Sequence, residues 1–312
     1  MPDIVVMFFV LGLVAGVLRS DLTIPKAAYD ILSLLLMLTI GLKGGMALHG
    51  NLNLQLLPEL GSVILIGALF PLLLYPLLRG LVRLSSADSA SFAAHYGSAS
   101  AGTFAVALAY AESMQLVIGA QVTLYLVMLE LPAIMVALAL YRWRQTEQAK
   151  SSHSALWHET LTNRGVILLV GGVIIGYMYG PQQGSAVTEL FTNAFKGVLA
   201  LFLLEMGLTA ADTMSRLSLR YWRVICFALV APVFLGVAGI LAGFWLNLPI
   251  GSILILASLT ASASYIAAPV AIRTAIPNAD VGLSLLAALG ITFPLNVLLG
   301  IPLYLQLIQW WM

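Results

Sequence analysis

Long apolar runs separated by short polar clusters divide the chain into ten segments, at 4–19, 28–48, 58–83, 89–113, 117–143, 163–180, 187–211, 218–246, 250–273 and 280–310. All but the short first and sixth approach or exceed the roughly 20 residues that a helix needs to cross a bilayer. The pattern therefore predicts an all-α integral membrane protein with ten transmembrane helices. Two of them are interrupted in the middle. The fourth contains Gly97-Ser98-Ala99-Ser100-Ala101-Gly102-Thr103, all small or hydroxylated, between apolar flanks. The ninth contains Ala261-Ser262-Ala263-Ser264-Tyr265-Ile266-Ala267-Ala268-Pro269, with Ser262 and Ser264 lying 164 positions beyond Ser98 and Ser100.

Other features match in the same order. Gly12-x-x-x-Gly16 in helix one corresponds to Gly172-x-x-x-Gly176 in helix six, and Gly41 in helix two to Gly207 in helix seven. Pro71 pairs with Pro232, and Pro132 with Pro294. Such self-similarity reads as an internal repeat. Five helices is an odd number, so the second copy enters the membrane from the opposite side. The expected architecture is a 5+5 inverted-topology repeat with discontinuous, crossing fourth and ninth helices. The first repeat covers 1–141 and the second 163–312, joined by a polar cytoplasmic linker at 142–162. The GxxxG pairs read as sites of tight helix packing.

Composition agrees with the pattern. Hydrophobic residues make up 61% and charged residues 9% of the 312, against about half and a quarter in soluble domains. A formal charge of +1 leaves no electrostatic footprint for nucleic acid. Twelve of the fourteen Lys and Arg fall in the loops of one face. By the positive-inside bias, those odd-numbered loops are cytoplasmic and both termini lie outside, in a bacterial cytoplasmic (inner) membrane. The first segment lacks a cationic start and a cleavage site, so it reads as a helix rather than a signal peptide. Cys226, the one cysteine, permits no intrachain disulfide. His153 and His158 read as a solvated loop, so no transition-metal site is expected. The tyrosines and tryptophans, Trp310 and Trp311 included, read as interfacial anchors. Lys43 lies near the outer end of helix two, where its stem can reach the interface, and Lys43, Lys196 and Glu205 are all expected to have structural roles.

An interrupted helix frees backbone groups that cost several kcal/mol each if left unpaired in hydrocarbon. The second half-helix begins with free N–H groups and the positive end of its dipole, a natural anion site. The candidate substrate-binding set is Ser98, Ser100, Gly102, Thr103, Ser262, Ser264 and Tyr265. A carboxylate in mid-membrane is by default functional, and Glu130 lies in an otherwise apolar helix. With Ser100, Thr103, Ser264, Thr292 and Asn296 it forms the candidate sodium-binding set, since a hard cation prefers oxygen ligands. The expected coupling ion is Na+, with no organic cofactor.

These features point to a sodium-coupled symporter of a small inorganic anion. A cation/proton antiporter with Glu130 as proton carrier, or a symporter of a small organic anion, are the alternatives. An enzyme is not expected: the chain has no H-E-x-x-H, no G-x-S-x-G elbow and no paired aspartates in its helices.

The stretches Ile40 to Leu48, His95 to Ala105, Glu130-Leu131-Pro132-Ala133, Ser262 to Pro269 and Gly290 to Asn296 resemble the sodium-dependent bicarbonate transporters of the SbtA type, over nearly the whole chain. The chain resembles a short, non-cyanobacterial-type member. The resemblance implies a core and a gate domain, a homotrimer, and bicarbonate with Na+ held where helices four and nine cross. It also implies a PII-like regulatory protein on the cytoplasmic face. It matches Ser100, Thr103, Ser262 and Ser264 to the substrate and sodium region, and Glu130 to an acidic position. Tyr265 stands where cyanobacterial members carry Asp, which leaves the sodium stoichiometry open.

Overall fold

A chain this apolar must satisfy its backbone groups within each segment, and helices do so. The computed structural model describes residues 3–50, 56–144, 164–216 and 218–312, with no strand among them. The helices are α1 (Ile4–Val17), α2 (Lys26–Leu48), α3 (Leu56–Val82), α4 (Ser86–Gly97), α5 (Ala101–Ser113) and α6 (Val122–Arg144). There follow α7 (Arg164–Gln183), α8 (Ser185–Ser215), α9 (Trp222–Trp245), α10 (Ile250–Thr260), α11 (Ala267–Ala275) and α12 (Val281–Trp311). Most of the expected linker, 142–162, including His153 and His158, lies outside the described residues.

Seven helices, α2, α3, α6, α7, α8, α9 and α12, are long and apolar enough to cross a membrane. The three other expected segments are present in shorter pieces. α1 has 14 residues. Segment 89–113 consists of α4 and α5 with 98–100 non-helical between them, and segment 250–273 of α10 and α11 with 261–266 between them. α8 continues past the expected end at 211, where Arg216 pairs with Asp212 at 2.8 Å and supports a further turn.

Glycines bring two helix pairs into backbone contact. An ideal Cβ on Gly207 of α8 would lie 2.2 Å from the carbonyl oxygen of Phe9 on α1. One on Gly45 of α2 would lie 2.1 Å from that of Val173 on α7. Gly12-x-x-x-Gly16 faces Leu204 and Ala211 of α8, and Gly172-x-x-x-Gly176 faces Leu38 and Leu42 of α2. In lipid, where apolar side chains gain little by clustering, this close approach is what holds helices together. The pairing is reciprocal: α1 lies on α8, and α7 on α2.

Prolines shape the remaining helices. Pro232 in α9 has no N–H to give the carbonyl of Ala228 four residues earlier. The Thr292 hydroxyl of α12 donates to that carbonyl at 2.9 Å. α12 carries wide π-helical turns at Ala288–Thr292 and Asn296–Gly300, each followed within two residues by a proline, Pro294 or Pro302. Such turns accommodate a helix whose regular ladder is broken.

One expectation is corrected here. Tyr96, Tyr125 and Tyr304 are fully buried and Tyr265 nearly so, not interfacial. The hydroxyls of the first three reach polar groups inside the fold: Tyr96 meets Thr292, Tyr125 donates to Glu59, and Tyr304 lies 3.0 Å from Asn296 Oδ1. An aromatic ring with one polar tip serves inside as well as at the interface, provided the tip has a partner. Trp310, by contrast, is 79% exposed. Lys43 has the expected structural role, in an ion pair near the ends of two helices. Its ammonium meets the Glu112 carboxylate at 2.5 Å and sits 4.4 Å from the ring centre of Phe195. α5 ends one residue beyond Glu112, which puts that carboxylate within reach of α2. Lys196 is exposed, and Glu205 accepts a hydrogen bond from Thr209.

Candidate functional site

The two non-helical stretches meet. The backbone N–H of Ser100 donates to Ser262 Oγ at 2.8 Å, and the N–H of Ser264 donates to the carbonyl of His95 at 2.8 Å. Each stretch thus satisfies freed backbone groups of the other, which the interior demands. Ser100 caps the helix that follows it, and Ser264 accepts from the first turn of the other. Ser100 Oγ accepts from the N–H of Thr103 at 3.1 Å, and Ser264 Oγ from that of Ala268 at 3.3 Å. A serine before a helix is favoured because its oxygen replaces a missing acceptor in the first turn.

Beside this junction is a small cavity. Ala99, Ser100 and Ala101 form one wall, Ser264, Tyr265, Ile266 and Ala267 another, and Glu130 of α6 a third. α2 and α7 close it with Met37, Val166 and Leu169. It encloses about 20 Å³, room for one particle the size of a water molecule. Ala101 and Ala267 are the first residues of α5 and α11, so two helix N-termini face the same space. Each carries about half a positive charge. Opposite them, the Ser264 hydroxyl donates to Glu130 Oε1 at 3.3 Å.

Of the candidate residues, Ser100, Ser264, Tyr265 and Glu130 line the cavity. Ser262 lies behind it, its hydroxyl donating to the carbonyl of Leu259 at 2.7 Å. Gly102 packs against the Tyr265 hydroxyl, where an added Cβ would come within 2.1 Å. Ser98 and Thr103 are buried, with side-chain oxygens that have no hydrogen-bond partner among the described residues. Thr292 and Asn296 do not line the cavity. Thr292 accepts from Tyr96 at 2.8 Å while serving Ala228. Asn296 Nδ2 donates to the carbonyl of Ala261 at 2.7 Å. Asn296 therefore caps the end of α10, and the carbonyls of His95, Leu259 and Ala261 are already engaged within the fold.

Residues 4–309 match a family model described as the Na+-dependent bicarbonate transporter superfamily. The chain belongs to that superfamily. Among curated proteins, none matches it. Membership makes the chain a sodium-dependent anion transporter of multi-pass membrane type and not an enzyme. The polar groups around the cavity are a carboxylate, serine and tyrosine hydroxyls and backbone groups.

Met37, Val166 and Leu169 are wall residues that sequence reasoning missed. They are ordinary apolar residues on α2 and α7, and only the three-dimensional packing distinguishes them from their neighbours. His95 was also missed; it contributes through its carbonyl, for which residue type carries no signal.

Proposed function

We propose that the chain is a sodium-coupled symporter of a small inorganic anion, bicarbonate first, with the cavity beside Glu130, which has room for one water-sized particle here and must widen to take both ions, as the shared site. Supporting this is one observation above the others: two helix N-termini and a half-buried carboxylate face the same small space. An anion entering it gains from the helix termini but is repelled by Glu130. Two like charges about 4 Å apart cost ~4 kcal/mol at an effective dielectric near 20. A cation held by Glu130 with the Ser100 and Ser264 oxygens offsets that repulsion, so anion and cation enter together. This is coupling in its thermodynamic sense, each ligand raising the other's affinity.

In this reading α4 with α5, and α10 with α11, are the two discontinuous crossings of a ten-helix, 5+5 inverted repeat. The reciprocal packing of α1 on α8 and α7 on α2 supports the repeat. Loops rich in Lys and Arg are cytoplasmic and both termini outside. Ser98 and Thr103, whose buried hydroxyls have no partner among the described residues, are the candidate donors to the anion. The family resemblance extends the reading to a homotrimer with a PII-like regulator at the cytoplasmic face.

The test is uptake of radiolabelled bicarbonate into proteoliposomes with and without an inward Na+ gradient. Gradient-dependent uptake that is lost in Ser264→Ala is the expected result. Uptake indifferent to Na+ would overturn the coupling. Sodium efflux driven by a pH gradient, without bicarbonate, would replace symport by proton antiport.

A further inference from the structure

Between α3 and α9 runs a groove of about 650 Å³, open along its length and unconnected with the cavity at Glu130. Leu73, Leu77 and Leu81 form one side; Cys226, Val230 and Phe234 the other. Its floor, which includes Leu74 and Phe227, is part of the packed interior, where Phe227 meets the Tyr96 ring edge-on at 4.8 Å. The floor is fixed by that packing, so the groove is a standing feature. α3 leaves it open because Pro71 and Pro76 break its ladder, and its last turn, Leu78–Val82, is a wide π-helical one.

Two properties say what occupies it. The first is length. From Trp222 to Leu235 α9 rises ~20 Å, short of the ~30 Å of a hydrocarbon core. A crossing helix would use the whole thickness, whereas a lipid of one leaflet needs little more than half of it. The second is charge. The groove is apolar except at one end, where Arg223 lines it, 5.3 Å from the Trp222 ring. Among the described residues Arg223 forms no ion pair with a carboxylate. It stands in the first turn of α9, which no side chain caps, so the positive end of the helix dipole and a guanidinium share one end. That combination selects a phosphate. Arg79, Arg83 and Arg220 flank the same end in the sequence, and basic pockets between membrane helices are where anionic headgroups bind.

We propose that this groove is a site for one anionic phospholipid, its acyl chain between α3 and α9 and its phosphate on Arg223. The proposal stands apart from the identity of the transported ion.

The chain carries its own reporter, since Cys226 is the single cysteine, is exposed, and lines the groove. The full chain, purified in detergent, is alkylated with N-ethylmaleimide after addition of dioleoyl phosphatidylglycerol, dioleoyl phosphatidylcholine or no lipid. Phosphatidylglycerol is expected to slow alkylation about fivefold more than phosphatidylcholine, the ratio expected of one arginine near an anionic lipid. Arg223→Gln removes the difference between the lipids. Arg223→Lys retains it, and so does Arg216→Gln, which changes charge outside the groove. Equal protection by both lipids overturns the headgroup assignment, and no protection by either overturns the site. Protection that needs no lipid and grows with protein concentration makes the groove a contact between copies and also overturns it.

Discussion

Lys43 and Glu112 form an ion pair at 2.5 Å, one residue from α2 and one from the far end of α5. The two helices belong to different packing groups, α2 lying against α7 and α8, and α5 against α10. The pair therefore ties the group that includes Ser100 to the one that closes the cavity with Met37, Val166 and Leu169. The side chains are 24% and 31% exposed, so the contact is stronger than a surface pair and weaker than a fully buried one. Lys43→Met leaves Glu112 without its cation and is expected to cost about 1–2 kcal/mol, read as a fall in thermal midpoint in detergent. Lys43→Met combined with Glu112→Leu recovers part of that loss. If the double variant is no more stable than the single one, the pair is not what holds the helices together.

Thr292 should matter for stability more than for ion binding. Thr292→Val strands the carbonyl that Pro232 leaves free and removes the acceptor of the Tyr96 hydroxyl, at about 1–3 kcal/mol for each buried group left unpaired. Pro232→Ala restores an N–H to Ala228, so Thr292→Val is expected to cost less in that background. A double-mutant cycle on unfolding measures the difference, and additivity would refute the link.

Replacing Glu130 by Gln keeps the shape and an oxygen for the Ser264 hydroxyl but removes the charge. Sodium stimulation of uptake is expected to fall about tenfold or more, which corresponds to a loss of only ~1.4 kcal/mol, with little change in thermal midpoint. Uptake that still follows the Na+ gradient would place the cation elsewhere.

Gly207 and Gly61 make a matched pair of substitutions. Gly207→Ala puts a methyl group 2.2 Å from a backbone oxygen of α1, so the helices must part, at about 1–3 kcal/mol. Gly61 on α3 has nothing within 4 Å of the added carbon. Gly61→Ala is expected to be neutral or to stabilise by up to about 1 kcal/mol. Thermal unfolding of both variants decides whether close approach, or helix propensity alone, sets the cost.

What could be read from residues alone follows from their chemistry. Serines in mid-segment, as at Ser98, Ser100, Ser262 and Ser264, are out of place in a bilayer and so announce themselves. The structure puts three of these four, with Glu130, around one junction. Thr292 and Asn296 announced themselves in the same way, yet they serve the backbone at Ala228 and Ala261. Polarity marks a place where something must be hydrogen-bonded but does not say whether the partner is a ligand or the fold itself. The tyrosines misled for a related reason, since an amphipathic ring suits both an interface and a buried network. The walls from α2 and α7 left no mark at all, because leucine, valine and methionine look the same facing lipid or facing a cavity.

The bond from the Ser100 amide to the Ser262 hydroxyl spans 162 residues of sequence and joins the two junctions into one solid piece. In a carrier that works by relocating its cargo, neither junction can then shift alone. Under the proposed symport, cargo next to Glu130 would travel with both junctions, past the wall that α2 and α7 give the cavity.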